Sequence, residues 1–317
     1  IMRSLIFMSI LFLAFTACDS GTGNDNEQVH KETAVDSVAH YDKVVSPPNE
    51  LYKDTTIAIN TFAELYRHIG SNRTLIIKAK EISMNSMEKL SGNVHIELDP
   101  TMGMMVRGVS NMRIMGDEGT IASLVQPNPG SRVIYFAKCD NILFENIKAG
   151  HAPEKGYCAA TVLQFDECKN IFVSKSQLYG SGYEGITVFR CRNVYCSDTK
   201  IYGCSFRILS LTQSQDVKFM NCRFVDNNEP LGSGSFYLSG NESVIFNGGE
   251  IANNARYMKN PNDEPFFNIE DCDDIVIKGT YIHHNTAKKF SSTTDDIKLV
   301  EVKMENNTWQ QDETALR

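Results

Sequence analysis

Ionisable, amide and tyrosyl side chains between residues 151 and 207 are the candidates for a binding site in this 317-residue chain. Such groups, arranged along an extended groove, bind polar ligands such as glycans through hydrogen bonds and ring contacts. Hydrolysis of a glycan would further need two carboxyl groups about 5 Å or about 6.5–9.5 Å apart. The candidate ligand-binding residues are His151, Glu154, Tyr157, Gln164, Asp166, Tyr183, Glu184, Arg190 and Arg207.

Catalytic and metal-binding roles have few candidates. Asp166 would need Glu184 or Glu154 as its partner carboxyl. Lyase chemistry would need a carboxylate cluster for calcium together with an Arg or Lys base. The run from Asp226 to Glu229 has enough oxygen ligands for a small calcium site, although a turn is the preferred explanation. No Cys or His spacing matches a zinc site. We therefore predict no metal or cofactor, with calcium as the alternative.

A repeated polar residue indicates which elements position these groups. Nine times between residues 93 and 296, an Asn, Asp or Ser precedes an apolar residue, and a second apolar residue comes two places later. The separations run from 18 to 31 residues, and a self-similar unit of this length is typical of a solenoid. The polar positions are Asn93, Asn111, Asn141, Asn170, Asn193, Asp216, Ser243, Asp274 and Asp296.

Each repeat has the pattern of two short strands joined by a sharp turn. The apolar-x-apolar spacing has the period of a strand, and a second strand such as Val162–Phe165 precedes the polar residue. Asn and Asp tolerate the left-handed backbone angles of such a turn, and stacked amides hydrogen-bond between repeats. The sequence therefore predicts an all-β fold, a right-handed parallel β-helix solenoid of about nine or ten coils.

The ends and edges of the solenoid are also predicted. Thr61 and Glu64 form a capping box for a short helix ending at Ile69, which we expect to cover the first coil. Four insertions, at residues 123–130, 150–158, 227–234 and 256–265, fall on one edge, which favours a binding face there. Side chains alternate between the two faces of a strand, which predicts that six residues point outward beside these insertions. They are Tyr135, Gln164, Thr187, Ser210, Tyr237 and Asn268.

These patterns give a specific hypothesis about the candidate groove. The insertion at residues 150–158 is expected to form a wall beside Gln164, Asp166, Tyr183, Glu184 and Arg190. An ordinary solvated sheet face is the alternative, in which Arg190 forms only a surface ion pair with Glu167, one coil away.

The N-terminal part of the chain predicts export. Residues 1–18 contain one Arg and an apolar run shorter than the ~20 residues of a membrane span, which is typical of a secretory signal. The segment ending at Cys18 resembles a bacterial lipoprotein processing site, which implies that Cys18 is lipidated. An ordinary cleaved signal is the alternative. Residues 19–50 are polar and predict a flexible tether, followed by the β-helix domain at residues 51–317.

These boundaries place the protein in the bacterial cell envelope, periplasmic or at the surface, with a lipid anchor as its only membrane contact. The net charge of −8 argues against nucleic acid as a partner. Cys139, Cys168, Cys191 and Cys272 share one repeat position, so we expect buried thiols that fill the core, although export permits disulfides.

Three segments carry a family resemblance. Residues 150–158 (GHAPEKGYC), 162–165 (VLQF) and 178–185 (LYGSGYEG) resemble a subgroup of exported bacterial proteins among the pectin-lyase-like right-handed parallel β-helix proteins. The subgroup pattern is GHxPxxGxC, a GGVL strand and LYGCGxxG; here AATV replaces GGVL and Ser181 replaces the Cys. The resemblance implies the fold and marks His151 and Glu154 as candidate site residues, but it implies no reaction. No GHG, NTD or RIK motif of pectate lyases or polygalacturonases is present.

Two functional classes remain. The first is a non-catalytic protein that binds a polysaccharide or similar extended glycan, which the missing catalytic motifs favour. The second is a polysaccharide lyase or glycoside hydrolase acting on a bacterial or plant glycan. A pair of carboxyls, or a carboxylate with Arg or Lys, converging in the groove would favour the enzyme.

Overall fold

The computed structural model describes residue 45 and residues 55–85, 89–153, 158–180, 182–227, 235–255, 265–293 and 297–310. In these residues the chain forms one α-helix, α1 (Phe62–His68), and strands that build three large sheets, numbered 1 to 3 below, and one small pair. No helix in the described part is long and apolar enough to cross a membrane.

Sheet 1 contains the strands that follow the repeated polar turns. Its ten strands, in spatial order, are β1 (Thr55–Ile59), β2 (Arg73–Ile77), β6 (Ser110–Gly116), β9 (Asp140–Glu145), β12 (Lys169–Ser174), β15 (Arg192–Ser197), β18 (Gln215–Met220), β21 (Glu242–Asn247), β24 (Asp273–Lys278) and β27 (Ile297–Val300).

Sheet 2 contains short strands that follow those of sheet 1 along the chain. Its nine strands are β3 (Glu81–Ser83), β7 (Ala122–Gln126), β10 (Ile147–His151), β13 (Gln177–Tyr179), β16 (Lys200–Tyr202), β19 (Arg223–Val225), β22 (Glu250–Ala252), β25 (Tyr281–His283) and β28 (Lys303–Glu305).

Sheet 3 contains the strands that precede the polar turns. Its eight strands are β4 (Ile96–Asp99), β5 (Gly103–Arg107), β8 (Ile134–Ala137), β11 (Leu163–Asp166), β14 (Ile186–Phe189), β17 (Leu209–Thr212), β20 (Phe236–Ser239) and β23 (Phe267–Glu270). The small pair is β26 (Thr286–Ala287) with β29 (Thr308–Trp309).

The predicted parallel β-helix is confirmed, and it is right-handed. Ile142, Ile171, Val194 and Val217 lie at matching register positions in neighbouring strands of sheet 1, and all are buried. Each coil therefore buries its apolar side chains on equivalent side chains of the next coil.

Four of the repeated polar residues form two separate links of the predicted ladder at the start of sheet 1. Asn111, Asn141, Asn170 and Asn193 have φ between 53° and 59°, in the left-handed region that Asn tolerates. The Nδ2 of Asn141 donates to Oδ1 of Asn111 at 2.8 Å, and that of Asn193 donates to Asn170 at 2.9 Å. The stacked amides thus stabilise the contact between coils through hydrogen bonds, in addition to the burial of the apolar side chains.

The prediction of two strands per coil was wrong, because each regular coil has a third strand in sheet 2. Most of these strands have only three residues, as in Gln177–Tyr179, which is too short to show a clear alternation in the sequence. The predicted nine or ten coils also exceed the six regular coils between Ile134 and His283. The ends are less regular; for example, β4 pairs with β5 in antiparallel fashion.

The first predicted repeat, at Asn93, does not form a regular coil. Val94 is the apolar residue that follows Asn93 in the repeat, so the pattern predicts that it points inward, but it is 92% exposed. Asn93 does not belong to the ladder; its Nδ2 donates to the carbonyls of Tyr66 at 2.6 Å and Ile69 at 2.9 Å. The hairpin of β4 and β5 replaces a parallel rung here, so Asn93 completes the C-terminal end of α1 instead.

The N-terminal helix lies where the capping box predicts it. The backbone N–H of Glu64 donates to Oγ1 of Thr61 at 3.2 Å, and Oε2 of Glu64 accepts from the backbone N–H of Asn60 at 2.7 Å. Phe62 and Leu65 are buried in the core, so the helix packs its apolar side onto the solenoid. Val45, which falls in the predicted tether, packs against Leu143 and Phe172 on the outer side of sheet 1.

The eight cysteines of the described residues are buried free thiols. Cys139, Cys168 and Cys191 stack in one column, as predicted. The backbone N–H of Cys139 donates to Sγ of Cys168 at 3.4 Å, and that of Cys168 donates to Sγ of Cys191 at 3.3 Å. Burial raises the pKa of the Cys158 thiol to about 11. These thiols are therefore core groups with low reactivity at neutral pH.

Candidate functional site

The outer side of sheet 3, called the sheet 3 face below, carries the outward residues that alternation predicts. Tyr135, Gln164, Thr187, Ser210 and Tyr237 are successive register partners across β8, β11, β14, β17 and β20. Their column runs along the solenoid axis, with the loops between sheets 2 and 3 on one side. A ligand lying on this face would therefore contact one residue of the column per coil.

Four side chains at one end of this face form a hydrogen-bonded group, the Tyr135 cluster (Arg132, Tyr135, Gln164 and Asp166). The hydroxyl of Tyr135 donates to Oδ2 of Asp166 at 2.6 Å, and Nε2 of Gln164 donates to Oδ1 at 3.0 Å. Nε of Arg132 donates to Oε1 of Gln164. The Arg132 guanidinium lies 5.5 Å from the centre of the Tyr135 ring. Both carboxylate oxygens of Asp166 are thus held in place.

Burial and the hydrogen bond to Asp166 raise the pKa of Tyr135. The phenol therefore remains protonated and serves as a hydrogen-bond donor at neutral pH, which does not suit a general base.

A second group of the same composition, the Tyr237 cluster (Arg207, Tyr237, Asn268 and Glu270), lies farther along the same face. The hydroxyl of Tyr237 donates to Oε2 of Glu270 at 3.1 Å, and Nδ2 of Asn268 donates to Oε1 at 3.4 Å. The Arg207 guanidinium lies 4.4 Å from the centre of the Tyr237 ring. Each cluster thus combines a phenol, a primary amide, a carboxylate and a guanidinium.

The tyrosines and amides of both clusters belong to one column. In both, the tyrosine precedes the amide by one coil in one column, and the carboxylate lies two residues after the amide. Tyr135 and Tyr237 are four register steps apart. Since parallel strands are ~4.8 Å apart, the clusters are separated by about 19 Å along the solenoid.

Glu184 lies between the two clusters and is 5% exposed. Its Oε2 accepts from the hydroxyls of Thr161 and Thr187, both at 3.0 Å, and its Oε1 accepts from Ser210 at 2.8 Å. Three hydroxyl donors compensate the carboxylate for its loss of water. Glu184 therefore ties three coils together beneath the face, and its oxygens are already occupied by protein donors.

The loops between sheets 2 and 3 bring aromatic rings to the edge of this face. Tyr183 is 45% exposed, and its ring stacks on Phe206 with the centroids 4.6 Å apart. The backbone N–H of Arg207 donates to the carbonyl of Tyr183 at 2.8 Å, which fixes the two loops against each other. The exposed Tyr183 ring, backed by the half-buried Phe206, offers a stacking surface beside the central part of the column.

Arg190 lies at the corner where the chain turns from sheet 3 into sheet 1. Its Nε donates to Oε1 of Gln213 at 2.8 Å, and its guanidinium lies 4.6 Å from the Phe189 ring centre. The suggested ion pair with Glu167 is wrong, since Glu167 instead pairs with Lys138 at 3.5 Å. The predicted groove residues are thus divided between two surfaces.

His151 lies inside the coil rather than on the groove surface. It is 2% exposed, and its Nε2 is 2.9 Å from the carbonyl oxygen of Ser131. Burial lowers the pKa of His151, so the ring is neutral and donates to Ser131. Since Ser131 precedes Arg132, His151 supports the backbone of the Tyr135 cluster.

Other candidates do not contribute to the described site. Glu154, Tyr157 and Cys18 lie outside the described residues, as do Asn228 and Glu229 of the possible calcium site. Oδ1 of Asn227 accepts from the backbone N–H of Cys204 at 3.0 Å, and its Nδ2 donates to Asn254 at 3.0 Å, so Asn227 belongs to a buried amide ladder. The described residues contain no group of three or more His, Cys, Asp or Glu side chains arranged to hold a metal.

Sequence reasoning chose Gln164 and Asp166 as candidate site residues, and it missed Arg132 and the pairing of each tyrosine with a carboxylate. Alternation places Tyr135 and Tyr237 on the correct face, which was the available signal. Arg132 precedes β8 in a turn, where no periodic pattern predicts its direction.

Comparison with known proteins agrees with this architecture. The family model described as "Right handed beta helix region" matches residues 127–258 and 161–314. No curated protein matches the chain.

Several solved structures are similar to the chain. The A-module of a mannuronan C-5 epimerase from Azotobacter vinelandii has a TM-score of 0.48 at 9% identity, covering 76% of this chain; the chain spans 62% of that module. A polygalacturonase from Erwinia carotovora has a TM-score of 0.45 at 10% identity, with 87% and 99% covered. A surface adhesin of Streptococcus pneumoniae has a TM-score of 0.43 at 12% identity, with 78% and 74% covered.

Proposed function

The chain belongs to the right-handed β-helix family, and we propose that it binds an extended glycan along the sheet 3 face without cleaving it. The observation that carries this proposal is the pair of matching clusters about 19 Å apart on one axial column. Each offers donors and acceptors for sugar hydroxyls and a tyrosine ring for contact with the sugar. A ligand that contacts both clusters must be an oligomer of several sugars.

The hydrogen bonds within the face favour binding over catalysis. Asp166 accepts from both Tyr135 and Gln164, and the raised pKa of Tyr135 keeps its phenol protonated. Glu184 is nearly buried and accepts from three hydroxyls. A general base or nucleophile needs access to the substrate, whereas the Tyr135 phenol is a hydrogen-bond donor and the Glu184 carboxylate is nearly buried.

The test is titration of the full chain with oligosaccharides of increasing length, from a panel of acidic and neutral polysaccharides. Affinity should rise with length until the oligomer spans both clusters and then level off, because linked contacts reinforce each other. The same mixtures are examined for shortened or unsaturated products. Affinity that does not depend on length contradicts the two-cluster site, and products favour the alternative of a lyase or hydrolase.

We further propose that the protein is anchored in the bacterial cell envelope through a lipidated Cys18, on the basis of the signal-like residues 1–18. Wild-type protein should then fractionate with membranes. The Cys18→Ala variant should be released or remain unprocessed. Wild type that is fully soluble after cell lysis would contradict the anchor.

A further inference from the structure

The corner between sheet 3 and sheet 1 carries a second column of side chains. One residue per coil adopts a left-handed backbone there, with φ between 49° and 62°. The backbone N–H of each of the first five members donates to the carbonyl of the residue that precedes the next member, as Arg190 does to Thr212. The column reads Lys138, Glu167, Arg190, Gln213, Gly240 and Asp271.

Gly240 interrupts this column, because it is the one member without a side chain. A Cβ placed on Gly240 would lie 3.5 Å from Cγ of Gln213, in ordinary contact. The space left by the missing side chain opens onto a cleft of about 370 Å³ between the corner column and the first residues of the sheet 1 strands. This size falls within the ~300–1,000 Å³ range of small-molecule sites.

The walls of the cleft are polar and carry an excess of positive charge. Arg190 and Gln213 face Lys169, Arg192 and Gln215 across a floor that includes Cys168, Cys191 and Ser214. Two carboxylates, Glu167 and Glu242, also line it, and Glu167 is already paired with Lys138 at 3.5 Å. Three cations against two anions leave a positive balance in a chain whose net charge is −8.

One of the two arginines is pre-positioned. Gln213 holds Arg190 through its Nε at 2.8 Å, and Phe189 lies under the guanidinium plane at 4.6 Å. Such a fixed guanidinium retains further N–H donors for a ligand, and its planar fork matches an oxyanion with two parallel hydrogen bonds. Arg192, exposed on the opposite wall, supplies a second fork.

We propose that this corner cleft is a separate binding site for a sugar that carries an oxyanion, either a carboxylate or a sulfate ester. The guanidinium groups of Arg190 and Arg192 bind the charge, and the amides of Gln213 and Gln215 bind neighbouring hydroxyls. The cleft volume favours a sugar-sized ligand over a bare ion. The proposal does not depend on glycan binding at the sheet 3 face, since the two surfaces share none of these side chains.

The experiment titrates the full chain with four probes: glucuronate, glucose 6-sulfate, glucose and inorganic sulfate. At least one charged sugar should bind, with glucose and inorganic sulfate clearly weaker. Comparing the two charged sugars distinguishes the carboxylate source from the sulfate ester. The proposal is overturned if neither charged sugar binds, if glucose binds equally well, or if inorganic sulfate binds as tightly as the sugars.

Two variants locate the binding. Arg192→Gln should weaken charged-sugar binding by about ten- to a hundredfold through loss of charge-assisted hydrogen bonds. Gly240→Asn should abolish it by completing the column and filling the cleft, because Asn tolerates the φ of +62° at this position. Arg223→Gln, at an exposed arginine bonded to Glu250 on sheet 2, is the matched control and should bind as wild type.

The unfolding midpoint of each variant is measured as well, so that a loss of binding is interpreted only for variants that are folded. If folded Gly240→Asn and Arg192→Gln both bind the charged sugars like wild type, the ligand binds elsewhere and the proposal is wrong. Failure of the sheet 3 site would appear separately, as a lack of length dependence with oligosaccharides.

Discussion

The Tyr135 and Tyr237 clusters have a tyrosine, an amide and a carboxylate at the same register positions, yet they differ in tightness. Tyr135 donates to its carboxylate at 2.6 Å, whereas Tyr237 donates at 3.1 Å. The amide bond to the carboxylate is 3.0 Å at Asp166 but 3.4 Å at Glu270. The pattern of contacts is thus preserved while their strength changes.

Two physical differences account for this. The side-chain lengths are exchanged, since the first cluster has a long amide, Gln164, with a short carboxylate, and the second has a short amide, Asn268, with a long carboxylate. The first carboxylate is also half-buried, whereas Glu270 is exposed. A less hydrated group makes stronger hydrogen bonds. The comparison teaches that the β-helix register fixes which groups meet, while local burial decides how firmly they are held.

The largest expected effect comes from removing both carboxylates. In Asp166→Ala/Glu270→Ala, binding of an oligosaccharide long enough to reach both clusters should fall roughly a hundred- to a thousandfold, because the ligand loses both ends of a linked interaction. Isothermal titration with a long and a short oligomer measures this loss. The length dependence seen in wild type should also disappear; if it persists, the clusters do not act together.

A smaller loss is expected from Asp166→Ala alone. The rigid cluster loses its centre, so binding of the same oligomer should weaken by about ten- to a hundredfold, the usual cost of a charged hydrogen-bonding contact. The unfolding midpoint should fall only modestly, because Tyr135 and Gln164 lose one hydrogen-bond partner at a half-buried position. Glu118→Ala, at an exposed carboxylate in a turn outside sheet 3, serves as the matched control. Equal binding by Asp166→Ala and wild type would exclude this cluster.

Glu270→Ala should have a still smaller effect, about two- to tenfold, because its hydrogen bonds are longer and exposed to water. The same titration compares it directly with Asp166→Ala. A loss larger than that of Asp166→Ala would reverse the proposed order of the two clusters.

The smallest expected effect is a change of stability with pH. It concerns only the Tyr135 cluster, whose backbone His151 supports through Ser131. Burial lowers the pKa of His151 in the folded chain, so the unfolded chain binds the proton more readily. This contribution to stability is therefore complete above the unfolded value of about 6.5 and declines as the pH falls below it.

Unfolding midpoints at pH 7.5 and pH 5 test this sign. The midpoint should fall more between these values in wild type than in His151→Gln, which cannot be protonated. Identical shifts in the two proteins would show that His151 does not titrate as described. His68→Gln, at a half-buried histidine on α1, is the comparison variant.

Much of the fold could be predicted because the solenoid repeats its constraints. The column of Ile142, Ile171, Val194 and Val217 follows from apolar spacing, and the left-handed turns follow from the choice of Asn and Asp. The predictions fail where repetition stops. Val94 fits the repeat pattern, but the strand that follows it, β4, pairs antiparallel with β5. The strands of sheet 2 are too short for their alternation to be detected.

The candidate site could be predicted only in part. Alternation correctly places Gln164 and Tyr237 outward, since the direction of a strand side chain depends on its position alone. His151 and Glu184 appeared to be site residues because ionisable groups are usually exposed. They proved to be buried: His151 bonds the carbonyl of Ser131, and Glu184 accepts from Thr187 on its own coil and from one hydroxyl on each neighbouring coil.

The sequence by itself determined the parallel β-helix, the stacked columns and the face on which polar side chains lie, because these depend on periodic local preferences that every coil repeats. Only the tertiary structure decided which polar residues are joined into clusters, which are buried, and that Gly240 opens a cleft beside Arg190. These features arise between coils that are 23 to 33 residues apart in the chain, where contacts such as Arg190 with Gln213 and Tyr237 with Glu270 form. No local preference encodes such contacts.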